Sequence, residues 1–240
     1  MLTSSSWASV AFRLGDACVA ETSLGQVPCG LERDSQDRVG TVQPLLSARL
    51  NCVAVVSPLL FESFRPLRRG EFDRLVELGT FDDERVELLS GVLVQMSPQG
   101  AEHSSVVSEL ATLLIVALGS RAKVRTHSPL ALSEESEPEP DIAVVLPADY
   151  TRELPTTALL VIEVADSSLR KDRQLKAALY AAAGVAEYWI VNLAERVVEV
   201  QRAPKDRGYE NVTRHDPDQN LRVAAFADVE LAVSQFLRSR

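Results

Sequence analysis

Hydrophobic and polar positions change period several times along the chain, and each change marks an element. From Arg69 to Leu78 the apolar Phe72, Leu75, Val76 and Leu78 fit one helical face, and Gly79 stops it. Arg85 to Leu89 and Val92 to Met96 flank Ser90-Gly91, which has the turn chemistry of a β-hairpin. After Pro98-Gln99-Gly100, the residues Val106, Val107, Leu110, Leu113, Leu114 and Ala117 recur at helical spacing, predicting a long helix over 101–118 that packs on a sheet. Ala122 to Thr126 and Pro129 to Leu132 are short strand candidates, and the acidic run Glu134 to Glu139 reads as a solvated loop. Two apolar, β-branched runs follow, Ile142 to Leu146 and Leu159 to Val164, with the length of buried strands. A helix is expected from Leu169 to Ala183, capped by Asp166, Ser167 or Ser168 and ended by Gly184. Beyond it, Glu187 to Asn192 and Val197 to Arg202 read as strands about a turn at Ala194-Glu195. Tyr209 to Thr213 and Leu221 to Ala224 form a further expected strand pair, and a closing helix is expected from Val229. Residues 1–60 lack such periodicity and read as a disordered extension, leaving 61–240 as the folded domain.

The two central strands carry the first hint of chemistry. Asp141 opens one run and Glu163 closes the other. An ionised carboxylate beside an apolar strand is costly to bury alone, so either both reach solvent or they share a cation.

Composition narrows the setting. The chain has 240 residues, of which 46% are hydrophobic, and a formal net charge of −9. That is ample for a core, and it argues against nucleic-acid binding by bulk electrostatics, which needs a basic face. No apolar run approaches the ~20 uninterrupted residues of a spanning helix, so no membrane association is expected. Trp7 to Ala20 fails as a leader because Arg13 and Asp16 interrupt it. The cytoplasm is the expected compartment. Cys18, Cys29 and Cys52 match neither a disulfide framework nor a zinc spacing.

Several blocks, taken in order, carry a resemblance. They are Val86-Glu87-Leu88-Leu89-Ser90-Gly91, Met96-Ser97-Pro98, His103, Glu139-Pro140-Asp141, Val161-Ile162-Glu163-Val164, Lys176 with Tyr180-Ala181, and Gly184 to Val191. Together they resemble the Uma-type restriction endonuclease family within the PD-(D/E)xK nuclease superfamily, over the chain from Phe64 onward. The resemblance implies an α/β, restriction-endonuclease-like core, a mixed sheet flanked by helices. It also implies a divalent ion, Mg²⁺ or Mn²⁺, and hydrolysis of DNA phosphodiester bonds.

Asp141 and Glu163 are then the expected metal ligands and catalytic carboxylates, with Glu87 a further carboxylate and His103 a neighbour that completes the expected metal set. Blander readings stand beside these. Glu87 could pair with Arg85, and His103 could be a helix-start residue satisfied by a nearby group. Asp141 could be a plain strand-start acid, and Tyr188-Trp189 reads as core. The superfamily signature places a lysine two residues past the glutamate, where this chain has Ala165. Either Lys176 supplies that cation or the site is degenerate. For Lys176 the bland reading is an exposed pair with Asp172, four residues earlier. Two rivals to a nuclease remain from sequence. One is a DNA-binding protein of the same fold without turnover, and the other is an interaction protein that oligomerises through its sheet edges, for which a homodimer is an admissible assembly.

Overall fold

The computed structural model describes residues 65–238, and the expected extension over 1–60 lies outside them. The element order starts with α1 (Arg69–Glu77), the hairpin β1 (Val86–Leu89) and β2 (Val92–Gln95), α2 (Ala101–Leu118), β3 (Lys123–Thr126), β4 (Ile142–Val145) and β5 (Leu160–Ala165). Next come α3 (Leu169–Lys171), a π-helical segment at Asp172–Lys176, and α4 (Ala177–Ala182), which run on as one helix. The chain closes with β6 (Glu187–Asn192), β7 (Val197–Lys205), β8 (Gly208–His215), β9 (Asn220–Arg222), β10 (Glu230–Ala232) and a 3₁₀ turn.

Six strands form one mixed sheet in the order β3-β4-β5-β6-β7-β8. Every neighbouring pair is antiparallel except β5 and β6. A parallel pair cannot be closed by a tight turn, and the helical stretch α3–α4 supplies the crossover. The sheet is an α/β core flanked by helices on both faces, as expected.

Side-chain alternation divides the core in two. Ile142, Val144, Leu160, Ile162, Trp189 and Val191 pack with Val106, Leu110 and Leu114 of α2. Ala143, Val145, Val161, Ala165, Tyr188 and Ile190 pack with Ala177 and Tyr180 of α4. Glu163 shares the parity of this second set and meets Lys176 and Tyr180 of the α3–α4 layer, whereas Asp141, just ahead of β4, turns to His103 of α2. The stretch Ala101–Arg121 is long and apolar enough to cross a bilayer by length and composition. In this fold its Val106, Val107, Leu110, Leu114 and Leu118 face is buried.

The hairpin forms as expected, with Ser90 at φ 51° and Gly91 at φ 77°, the two positive values a tight two-residue turn requires. Glycine is also required sterically, because a Cβ at position 91 would lie 2.2 Å from that of Pro66.

Four expectations are corrected. Pro129 to Leu132 is not a strand: the Leu130 and Ala131 N–H groups donate to Pro138 and Pro155 instead of to a strand neighbour. The run Glu134 to Glu139 is not a simple solvated loop, since Ser136 and Glu137 are buried and Glu137 exchanges backbone hydrogen bonds with Leu88. The segments expected to pair with each other instead find different partners, β8 with β7 and β9 with β10. The closing helix from Val229 is replaced by β10 and the 3₁₀ turn Val233–Gln235. The reason is periodicity of two: Val229, Leu231 and Val233 are buried while Glu230 is exposed.

Candidate active site

Asp141 and Glu163 are brought together by strand register. β4 and β5 are antiparallel with Ile142 opposite Ile162, so one step further Asp141 stands opposite Glu163. Both line a half-open pocket with His103, Gln99, Lys171, Asp172 and Lys176, walled by the Met96–Gly100 turn and the Asp166–Ser168 loop.

Asp141 is held firmly. Its Oδ2 accepts the Val164 N–H at 2.7 Å and lies 3.1 Å from His103 Nε2, while Oδ1 is 3.4 Å from Gln99 Nε2. His127 Nδ1 stands 3.6 Å from the same Oδ1, and the two imidazole rings stack at 6.5 Å. His103 is buried, as its place on the inner stripe of α2 dictates.

Glu163 is buried and uses one oxygen for two donors. Its Oε1 accepts from Lys176 Nζ at 2.8 Å and from the Tyr180 hydroxyl at 2.7 Å. Among the described residues no donor reaches Oε2. Burial pushes the Glu163 carboxyl up to about 8; Lys176 opposes the shift, and the charges of Asp141, Asp172 and Glu87 add to it.

Lys176 is buried, at 2% exposure, so the bland reading of it as half of an exposed pair with Asp172 does not hold. Burial alone would lower its pKa, yet Glu163, Glu87 and Asp172 around it hold it above the usual lysine range. Both shifts express one excess of negative charge in a water-poor site. Glu87, Asp141, Glu163 and Asp172 are all buried here, and among the described residues the lysines that pair with them are Lys176, with Glu163 and Glu87, and the partly exposed Lys171, with Glu87.

Glu87 takes a different place from the one expected. Arg85, its suggested partner, bonds Glu139 instead. Glu87 Oε1 receives Lys171 Nζ at 2.9 Å and Oε2 lies 3.1 Å from Lys176 Nζ, so both oxygens face ammonium groups. It does not line the pocket.

The π-helical segment explains how both lysines reach one carboxylate. Residues five apart lie about 140° from each other around a regular α-helix of ~3.6 residues per turn. The wider i→i+5 turn at Asp172–Lys176 brings Lys171 and Lys176 to the same side. Tyr188 pins this segment by donating its hydroxyl to the Asp172 carbonyl at 3.3 Å.

The donor set suits a divalent ion that prefers oxygen. Asp141 and Glu163 offer carboxylates at adjacent strand ends, the free Glu163 Oε2 is one acceptor, and the surplus of buried acids is the charge an ion would offset. Among the described residues no three His, Cys, Asp or Glu side chains stand close enough to hold an ion by themselves. Mg²⁺ tolerates this, because it keeps several waters and binds through one or two protein carboxylates.

A family model described as Uma2, putative restriction endonuclease, matches residues 70–234. The chain belongs to the Uma2 family. The match takes in every residue of the pocket. A crystal structure of a putative nuclease belonging to DUF820, from Anabaena variabilis, resembles this Uma2 chain with a TM-score of 0.59 and 19% identity. The likeness covers 72% of this chain and 98% of that one, and it shows a shared fold. No curated protein matches the chain.

Among the pocket residues that had no assigned role in the sequence are Gln99, Lys171 and Asp172. Asp172, Lys176 and Tyr180 recur at steps of four on one helical stripe, the same side that carries the apolar Ala177 and Ala181. A charged pair on a stripe with buried aromatic and small residues was the available signal.

Proposed function

We propose that this Uma2 protein is a divalent-ion-dependent endonuclease that hydrolyses DNA phosphodiester bonds. The observation that carries the reading is the convergence of Asp141, Glu163 and Lys176 on one half-open pocket from β4, β5 and the helix that follows. Asp141 and Glu163 would hold Mg²⁺ or Mn²⁺. When bound, such an ion polarises a phosphoryl oxygen and lowers the pKa of an attacking water.

The chain's own residues do the remaining work. His103 and the Val164 N–H hold Asp141 in one orientation. Tyr180 and Lys176 occupy Glu163 Oε1 and leave Oε2 toward the pocket. Lys176 supplies positive charge that Ala165 cannot. Hydrolysis adds water oxygen to phosphorus as one bridging P–O bond breaks, giving a phosphomonoester and an alcohol.

Incubation of the full chain with supercoiled plasmid and Mg²⁺ or Mn²⁺ tests the reading. Nicked or linear product, abolished by chelator and by Asp141→Asn, is expected. Intact plasmid with both ions would overturn it.

A further inference from the structure

Asp172 lines the pocket, is 1% exposed, and has no role in the reading above. Its side chain is fixed rather than loose. Ser168 Oγ donates to Asp172 Oδ2 at 2.5 Å, and the Asp172 N–H donates to the Ser168 carbonyl at 3.1 Å. The Tyr188 hydroxyl anchors its carbonyl at the head of the π-helical segment. Among the described residues no donor reaches Oδ1. The charge of Asp141 acts on Asp172, and that of Asp172 on Glu163, yet among the described residues the three do not form an ion-holding group.

We propose that Asp172 is a further catalytic residue of this site, whose Oδ1 accepts a hydrogen bond from the attacking water and orients it toward phosphorus. The proposal rests on the nuclease reading. An ion held by two carboxylates keeps several waters, and such waters need acceptors to fix their direction. Asp141 accepts protein donors on both oxygens and Glu163 on one, and the lone pairs left to these two carboxylates are the ones that would hold the ion. Glu87 faces lysines with both. Asp172 is the remaining buried carboxylate of the pocket with an oxygen to spare. The π-helical segment serves it too: by turning Lys171 and Lys176 onto Glu87, it keeps both ammonium groups satisfied without drawing on Asp172 Oδ1. Sequence spacing alone would have placed Asp172 on the surface as half of an ion pair.

The test compares wild type, Asp172→Asn and Asp172→Glu in the full chain. Asn keeps the size and an acceptor for Ser168 while removing the charge. Two measurements are made, Mn²⁺ binding by titration calorimetry and plasmid cleavage resolved into kcat and KM. The Asn variant is expected to bind Mn²⁺ within about threefold of wild type and to keep KM, with kcat down by about 100-fold, the loss typical of one preorganised group. Partial recovery of kcat in the Glu variant is expected. Cleavage by the Asn variant at the wild-type rate would overturn the role of Asp172 while leaving the nuclease reading intact. Loss of Mn²⁺ binding in that variant would overturn it too, since Asp172 would then hold the ion rather than its water. A wild type that cuts nothing would overturn the nuclease reading itself, and the role of Asp172 with it.

Discussion

Lys176 Nζ lies 2.8 Å from Glu163 Oε1, reaching from the helix thirteen residues downstream to a carboxylate whose own strand offers only Ala165 nearby. The crossover helix thus brings an ammonium group to a carboxylate on β5. Its two buried ion pairs make Lys176 a stabilising residue, apart from the role proposed for it in hydrolysis. Its removal leaves Glu163 buried without its cation and Glu87 with Lys171 alone.

Lys176→Met is therefore expected to lower unfolding stability by about 3–5 kcal/mol, the usual consequence of breaking one side of a buried ion pair. Urea unfolding at neutral pH measures it. A change below 1 kcal/mol would mean the pair is solvated. The double variant Lys176→Met/Glu163→Gln should recover part of the loss, because a neutral glutamine needs no counter-charge.

Ion linkage gives a second expectation. An ion bound only by the folded state raises stability by mass action, about 2.7 kcal/mol at a hundredfold excess over its dissociation constant. Wild-type protein should melt at a higher temperature with Mg²⁺ or Mn²⁺, and Glu163→Gln should lose most of that gain. Equal shifts in both proteins would show that the ion binds elsewhere.

Glu137 governs a pH dependence away from the pocket. It sits under α1, and its Oε2 is buried without a hydrogen-bond partner. Burial pushes its carboxyl from 4.5 up to about 7; Asp73 adds to the shift and Arg69 opposes it. The folded state thus holds a proton that the unfolded chain releases at lower pH, and its contribution to stability falls as pH rises from about 4.5 to about 7. Glu137→Gln should flatten the melting temperature across that window and raise it at pH 8. Parallel pH profiles for the two proteins would exclude this origin.

Glu187 is the anchor of the sheet's far side. Fully buried, it accepts from Trp189 Nε1 at 2.9 Å, Arg202 Nε at 2.8 Å and the Ala224 N–H at 2.8 Å. Glu187→Ala leaves these donors unsatisfied and is expected to cost at least about 3 kcal/mol, or to prevent folding. Loss of Trp189 fluorescence change on unfolding, or a lowered urea midpoint, reads it out. A midpoint equal to wild type would show that water replaces the carboxylate at no cost.

What the sequence by itself determined was local. Period 2 and period 3.6 marked α1, the first hairpin, α2, β4, β5 and β6, because each buries a face whose spacing is written in the chain. Asp141 and Glu163 stood out for the same reason, as charges at the ends of apolar strands. Where short segments choose among partners, periodicity is silent, and so β8 and β9 paired otherwise than expected, with β10 formed where a helix was expected. The fate of Glu87, Lys171, Asp172 and Lys176 was decided only in three dimensions. A charged residue on a helix reads as solvated until another element covers it, and β1 and β5 come from distant parts of the chain to do so. The π-helical segment has no sequence signature of its own. It forms where Glu87, Glu163 and Tyr188 together offer Lys171, Lys176 and the Asp172 carbonyl better partners than a regular α-helical turn would reach.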